Sequence, residues 1–304
     1  MSYDFYYIIE KLEKEKFACE PFTHVEIKNV FSDEHFSELI SSCDIYLSPQ
    51  RSDKDLIKAL ETQGYASINF PGSVTDSDHY ISWRKSKGTG RDKIINPNMN
   101  TACEGFGYVM RLYQVNSPIV AAVQSFFGSS EFHEAVAKKF NITANVIYDG
   151  GVQKYLDGYE ISPHPDIRKK AATWMVNINP TVNSDLLNYH THYMKFKKVR
   201  KYVQALWEAN RDIERAWVPW DWAATCKVQD ANNSMVLFAP SDNTLHAVRA
   251  DYDHLITQRT QIYGNLWFHK SEASKGLKWE ELDVLARAHD IFSRTDTGQG
   301  KRAI

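Results

Sequence analysis

The spacing of apolar positions changes character about midway along the chain. In the first 142 residues the apolar positions recur mainly at helical intervals. Residues 1–16 read as a polar, amphipathic helix. Ser32-Asp33-Glu34 is a helix-start signal ahead of Phe36, Leu39 and Ile40. Residues 53–63 place Leu56, Ile57 and Leu60 on one face, and Gly64 stops that helix. Residues 117–140 are again helical, interrupted at Gly128-Ser129-Ser130. Two strands are expected among these helices, over 24–31 and 66–70. Between residues 71 and 106 glycines, Pro97 and polar side chains predominate, which predicts mostly loop.

From residue 145 onward the apolar runs are short and rich in β-branched and aromatic residues. Strands are expected over 145–148, 152–156, 173–178, 226–228, 234–238, 245–248 and 260–268. Turn signals separate them: Asp149-Gly150-Gly151, Asp157-Gly158, Asn179-Pro180, Asn232-Asn233 and Pro240-Ser241-Asp242-Asn243. Many short strands with this punctuation predict a β-sandwich or jelly roll. Helices are expected at 201–215 and at 279–292. The fold class is therefore α+β, with residues 1–142 packing on a core of residues 143–304 in one integrated domain. A helical insert near 195–222 interrupts that core.

Composition adds limits. A chain of 304 residues suffices for one large domain, and 13% aromatic residues suit a β-rich core. A formal net charge of -2 gives no global pull toward nucleic acid or anionic membrane. No apolar run reaches membrane-spanning length, and the charged N-terminus lacks a signal-peptide core, so a cytoplasmic protein is expected. Cys19, Cys43, Cys103 and Cys226 are widely spaced without a Cys-x-x-Cys pair, which argues against a zinc ribbon or a disulfide framework.

The chemistry concentrates in Tyr155-Leu-Asp-Gly158-Tyr-Glu-Ile-Ser-Pro163-His164-Pro165-Asp166. In extended backbone, residues two apart project to one side, so His164 and Asp166 can meet one metal ion. The third ligand expected is His246, which follows the apolar run Met235-Val-Leu-Phe238 and a turn. Two imidazoles and one carboxylate leave open positions on iron(II), and the absence of thiolate disfavours structural zinc. Arg259, thirteen residues beyond His246, could hold a carboxylate through two parallel hydrogen bonds. Arg249 competes with it, but in a continuous strand it would face away from His246.

In order and spacing, these residues resemble the iron(II)/2-oxoglutarate-dependent oxygenases, above all their prolyl-4-hydroxylase-like branch. The motifs are Tyr155-x-x-Gly158, His164-x-Asp166, Thr173-Trp-Met-Val-Asn-Ile-Asn179-Pro180, Val236-Leu-Phe238, His246-x-Val248 and Arg259, spanning roughly residues 143–268. The resemblance implies a double-stranded β-helix, or jelly roll, flanked by N-terminal and C-terminal helices, with His164, Asp166 and His246 on iron(II). It implies 2-oxoglutarate and O₂ as cosubstrates, succinate and CO₂ as products, and hydroxylation of an unactivated carbon. It places Tyr155 and Asn177 where cosubstrate contacts are common. The intact Asp166 points to oxygenation rather than halogenation. Two features depart from the family pattern: Ser184-Asp-Leu-Leu-Asn-Tyr-His190-Thr-His192 stands where a glycine-rich strand is usual, and seventy-nine residues separate Asp166 from His246.

A small-molecule or saccharide-type substrate is expected. A peptide or prolyl hydroxylase, a cupin-type metal protein without 2-oxoglutarate and a non-enzymatic jelly-roll binding module stay open. His190 and His192 form a second same-face pair without a carboxylate at suitable spacing. The basic stretches at 84–93 and 195–201, and Trp207, Trp217, Trp220 and Trp222 of the insert, could contact substrate or serve only surface and packing.

Overall fold

The computed structural model describes residues 3–86, 107–273 and 275–276. Its first half carries α1 (Tyr6–Lys14), β1 (Val25–Lys28), α2 (Asp33–Ser41), α3 (Asp53–Thr62), β2 (Tyr65–Ser67), β3 (Ser73–Val74), α4 (Ser77–Lys85), β4 (Gly107–Leu112), α5 (Pro118–Phe127) and α6 (Ser130–Phe140). Side-chain caps start four of these helices. Ser32, Ser52, Asp76 and Ser129 each accept a hydrogen bond from the backbone amide three residues on, satisfying a donor the helix cannot. Asn141, left-handed at φ 55°, ends α6.

The second half is mostly strand: β5 (Val146–Tyr155), β6 (Glu160–His164), β7 (Lys170–Asn177), β8 (Thr191–Phe196), α7 (Lys201–Ala209), β9 (Ile213–Glu214), β10 (Ala223–Gln229), β11 (Ser234–Phe238), β12 (His246–Arg249), β13 (Arg259–Phe268) and β14 (Lys275–Gly276). An eight-stranded sheet runs β1-β11-β7-β13-β5-β4-β2, with β3 alongside β4. A four-stranded sheet runs β10-β8-β12-β6, antiparallel throughout. Strands from both halves of the chain thus share the larger sheet. Helices beside antiparallel sheets make the fold α+β.

The larger sheet separates two environments. Its outer face presents Val152, Ala172, Trp174, Val176, Leu237, Ile262 and Leu266 to the buried faces of α1, α2, α3, α5 and α6 in one apolar cluster. Each large apolar side chain fully buried there contributes roughly 1.5–3 kcal/mol. Its inner face is largely polar and looks toward the smaller sheet: Arg259, Gln261, Tyr263 and Asn265 on β13, and Thr173 and Asn177 on β7, are all buried. Strand alternation forces this division, since successive side chains point to opposite faces.

The structure revises several sequence expectations. Asp149-Gly150-Gly151 is not a turn, because β5 runs unbroken from residue 146 to 155 against β13. Glycine is needed at 150 for close approach: a Cβ there would fall 2.6 Å from the backbone carbonyl oxygen of Tyr263 on β13. The expected loop over 71–106 contains β3 and α4, and β4 follows directly. Strands β6 and β8 were not expected. Helix α7 stops at Ala209 rather than at residue 215. The C-terminal helix expected over 279–292 lies outside the described residues. Among the described residues no helix is long and apolar enough to cross a membrane, and Cys19, Cys43 and Cys226 are free thiols.

Candidate metal centre

Between the two sheets lies a cavity of about 590 Å³. Its walls include Thr173, Met175, Arg259, Gln261 and Tyr263 from the larger sheet, and His164, Thr191 and His246 from the smaller. His164 ends β6 and His246 begins β12, and antiparallel pairing sets them directly opposite each other. Their ring centroids are 4.3 Å apart.

Asp166 completes the group, though not by the expected route. It lies beyond the end of β6, at φ 53°, so a left-handed turn rather than extended backbone brings its carboxylate back to His164. Asp166 Oδ1 is 3.6 Å from His164 Nε2, and Oδ2 is 3.9 Å from His246 Nε2. Ligand atoms of the three side chains all lie within 4.8 Å of one another, and they form the one such group of three or more among the described residues.

Backbone carbonyls fix both imidazoles. His164 Nδ1 donates to Ser162 O at 2.8 Å, and His246 Nδ1 donates to Thr244 O at 3.0 Å. A carbonyl can only accept, so each Nδ1 carries the proton and each Nε2 keeps its lone pair for a metal. Burial, reinforced by neighbouring His164, pushes the His246 imidazole down to about 3, so it is neutral at ordinary pH. For Asp166, burial opposes ionisation. The Lys170 ammonium outweighs it and holds the carboxyl well below its usual range. Lys170 Nζ donates to Oδ1 at 2.6 Å, and the Thr173 hydroxyl lies 2.8 Å from Oδ2. Two imidazole nitrogens and one carboxylate, on the cavity wall and free of thiolate, fit iron(II).

Arg259 is buried on the same cavity. Its Nη2 donates to Thr191 Oγ1 at 3.0 Å, and its guanidinium carbon sits 4.4 Å from the centre of the Tyr155 ring. Its Nη1 is buried without a hydrogen-bond partner. Arg249 is already committed, bonded to Glu160 at 2.8 Å and stacked on Trp220.

The remaining sequence candidates divide. Tyr155 lines the cavity, and its hydroxyl engages Gln153 at 2.6 Å. Asn177 does not reach the cavity wall. Its amide donates to the carbonyls of Gln229 and Ala231 and its Oδ1 accepts from Gln261, so it braces the β10–β11 turn. The neighbour Gln261 lines the cavity instead. His190 and His192 lie off the cavity wall, and His192 bonds Thr225. Arg84 pairs with Asp53 and Asp157, and Lys195 with Glu20. Lys87, Arg91 and Lys93 lie outside the described residues.

Several wall residues carried no recognised sequence signal. Phe70, Pro71, Arg111 and Tyr113 come from the first half of the chain, Lys170 from β7 and Arg215 from the insert, whereas Trp217, singled out in the sequence, also lines the wall. Trp207 and Trp222 pack instead in a separate apolar cluster with Phe196, Val203 and Leu245. One signal was available: along β13, Arg-x-Gln-x-Tyr-x-Asn places four polar side chains on one face of a buried strand.

No protein-family model and no curated protein matches the chain. Among solved structures it is similar to a prolyl-4-hydroxylase from Pseudomonas putida, at 8% identity, 87% coverage of this chain, 99% of that one and a TM-score of 0.40. It is also similar to a Trichoplax adhaerens prolyl hydroxylase in complex with a hypoxia inducible factor oxygen degradation domain peptide fragment (10% identity, 86% and 88% coverage, TM-score 0.41). A third is a 2OG-Fe(II) oxygenase family oxidoreductase from Burkholderia pseudomallei (14% identity, 74% and 96% coverage, TM-score 0.30). At these TM-scores the functional reading rests on the side chains, not on the likenesses.

Proposed function

We propose that the chain is a mononuclear non-haem iron(II) oxygenase that uses 2-oxoglutarate and O₂, built on a jelly-roll core. His164, Asp166 and His246 are its metal ligands, and Arg259 receives the distal carboxylate of 2-oxoglutarate. The substrate is a small molecule or saccharide-type metabolite hydroxylated at an unactivated carbon. One observation carries this reading. A His–Asp–His group in which Asp166 and His246 are buried and His164 half-buried, and a buried guanidinium with an unpartnered Nη1, open onto the same cavity.

Iron(II), when bound, supplies the redox centre for O₂ activation coupled to the oxidative decarboxylation of 2-oxoglutarate to succinate and CO₂. The chain's own residues do the rest. The Ser162 and Thr244 carbonyls hold the two imidazoles in the ligating tautomer. Lys170 and Thr173 keep Asp166 ionised and oriented. Arg259, with Thr191 beside it, offers a positive, desolvated donor to a carboxylate, where a charge-assisted bond is strong. Phe70, Met175 and Tyr155 keep that end of the cavity apolar and short of water. The volume suits a small molecule more than a protein segment. Trp217, Trp267 and Tyr113, on the same cavity wall as the Arg111–Asp149 pair, offer the mix of aromatic faces and polar groups that suits a polyhydroxylated substrate.

Anaerobic addition of iron(II) and 2-oxoglutarate to the purified chain is expected to give a weak visible charge-transfer band, and admission of O₂ to give succinate. Folded, metal-loaded protein with neither band nor succinate would overturn the assignment. A band lost in His246→Ala but present in His190→Ala would tie it to this centre.

A further inference from the structure

We propose that Arg215 is a positioning residue for the metal centre, tying the turn that carries Asp166 to the loop that delivers His246. The proposal rests on the metal-centre reading above and gives the segment between β8 and β10 a role beside the substrate contact or surface packing that its sequence suggests.

Arg215 is buried and reaches both ligand-bearing segments at once. Its Nη1 lies 3.4 Å from Pro165 O and 3.3 Å from Asp166 O, and its Nε donates to Asp242 Oδ1 at 2.8 Å. The first contacts hold the turn in which Asp166 adopts its left-handed conformation. Among the described residues the other non-glycine positions with positive φ are Asn29, Asn141 and Asn233, the residue type that tolerates it most readily. A carboxylate aimed by such a turn needs restraint from outside the turn, and a guanidinium on two successive carbonyls supplies it.

The second contact fixes the other ligand. Asp242 opens the turn whose Thr244 carbonyl accepts the His246 Nδ1–H. Thr244 Oγ1 lies 3.3 Å from Pro165 O, a second link between the segments. Arg215 is itself anchored: its amide donates to Glu214 Oε1, which also accepts from the Arg168 amide. Arg168 shares Asp242 Oδ1 at 3.3 Å, and Val218 N donates to Pro163 O at 2.8 Å. The insert is thus bonded to the stretch from Pro163 to Arg168 at several points. A lysine could not serve as well, since the role needs a rigid, planar set of donors pointing two ways.

Cobalt(II), a visible stand-in that accepts the same nitrogen and oxygen donors, tests this on the full-length, metal-stripped protein. The wild type is expected to bind one equivalent. Arg215→Met is expected to lose on the order of 10–100-fold in cobalt(II) affinity, the usual effect of removing an outer-shell support. Its cobalt ligand-field band should shift, while 2-oxoglutarate affinity at saturating cobalt(II) is retained. A residue serving only general stability would move the melting temperature without moving the band. Asp242→Asn reduces the other end of the tie from a charge-assisted to a neutral hydrogen bond and should weaken cobalt(II) in the same direction. The double variant should lose clearly less than the sum of the two single losses, because the Arg215–Asp242 bond is common to both. Wild-type cobalt(II) affinity in both single variants, or additive losses in the double, overturns the proposal. Should Arg215→Met not fold, Asp242→Asn decides alone, and wild-type affinity in it overturns the proposal. A wild type that takes up no cobalt(II) fails at the metal-centre reading itself and takes this inference with it.

Discussion

At the scale of single residues, Arg259 makes the sharpest statement. A buried guanidinium normally has a carboxylate partner, because an uncompensated buried charge is costly. Arg259 has one hydroxyl, one aromatic face and an unsatisfied Nη1. Arg259→Met is therefore expected to act in opposite directions on stability and on binding. The ligand-free protein should become more stable, by about 1–4 kcal/mol in denaturant melts, as when apolar side chains replace buried charges. The metal-loaded protein should lose about 2–5 kcal/mol of 2-oxoglutarate affinity, the usual effect of truncating one side of a buried charge pair. A less stable variant with unchanged cosubstrate affinity would remove Arg259 from the proposed role. The sequence made His164, His246 and Arg259 legible because each sits at a strand end, where a local pattern marks it. It could not show how Asp166 is aimed, since extended backbone was the natural reading and a left-handed turn does the work. Lys170 and Thr173 were invisible as partners of Asp166, because only the return of β7 beneath the turn brings them there. Asn177 faces inward as read, but the β10–β11 turn claims its amide.

At the scale of elements, period-two alternation explains both what was legible and what was not. Strands β11 and β13 are long apolar or alternating runs, and the structure places them almost where the pattern did. Strands β6 and β8 are missed because prolines, histidines and tyrosines crowd them for the cavity and its surroundings, masking the pattern. In β5 the glycine pair imitates a turn, yet the ladder with β13 carries straight through. The same strand holds an exception to its own alternation. Lys154 points to the apolar, helix-covered side and is fully buried, with its ammonium on Ile45 O and Thr260 Oγ1. Burial pulls it from 10.5 down to about 7. Between those values the unfolded chain binds a proton that the native protein does not, so stability rises with pH across the window. The slope is at most about 1.4 kcal/mol per pH unit. Urea midpoints measured from about pH 7 to 9 should rise in the wild type relative to Lys154→Met. Parallel curves for the two proteins would show that Lys154 stays charged in the fold.

At the scale of the whole molecule, the cavity's charges predict coupling between the two ligands proposed for it. Three of its wall cations are matched: Arg111 with Asp149 at 2.9 Å, Lys170 with Asp166 at 2.6 Å and Arg215 with Asp242 at 2.8 Å. Arg259 has no carboxylate partner among the described residues. The cavity wall therefore carries an excess of positive charge, and a divalent metal adds to that charge in a region shielded from solvent, where repulsion is poorly screened. A dicarboxylate relieves both excesses. Metal and 2-oxoglutarate should accordingly each tighten the other, and by thermodynamic linkage the two enhancements must be equal. Thermal melts can read this without turnover. A ligand present at about 100 times its dissociation constant stabilises by about 2.7 kcal/mol, so cobalt(II) alone should raise the melting temperature and 2-oxoglutarate alone should raise it less. Together they should exceed the sum by a coupling of about 1–3 kcal/mol, the typical range for linked sites. In Arg259→Met that excess should shrink toward zero while the response to cobalt(II) alone persists, because the metal ligands are untouched. Strictly additive shifts in the wild type would mean that the guanidinium and the metal site do not share a ligand, and the cavity would then be two sites rather than one.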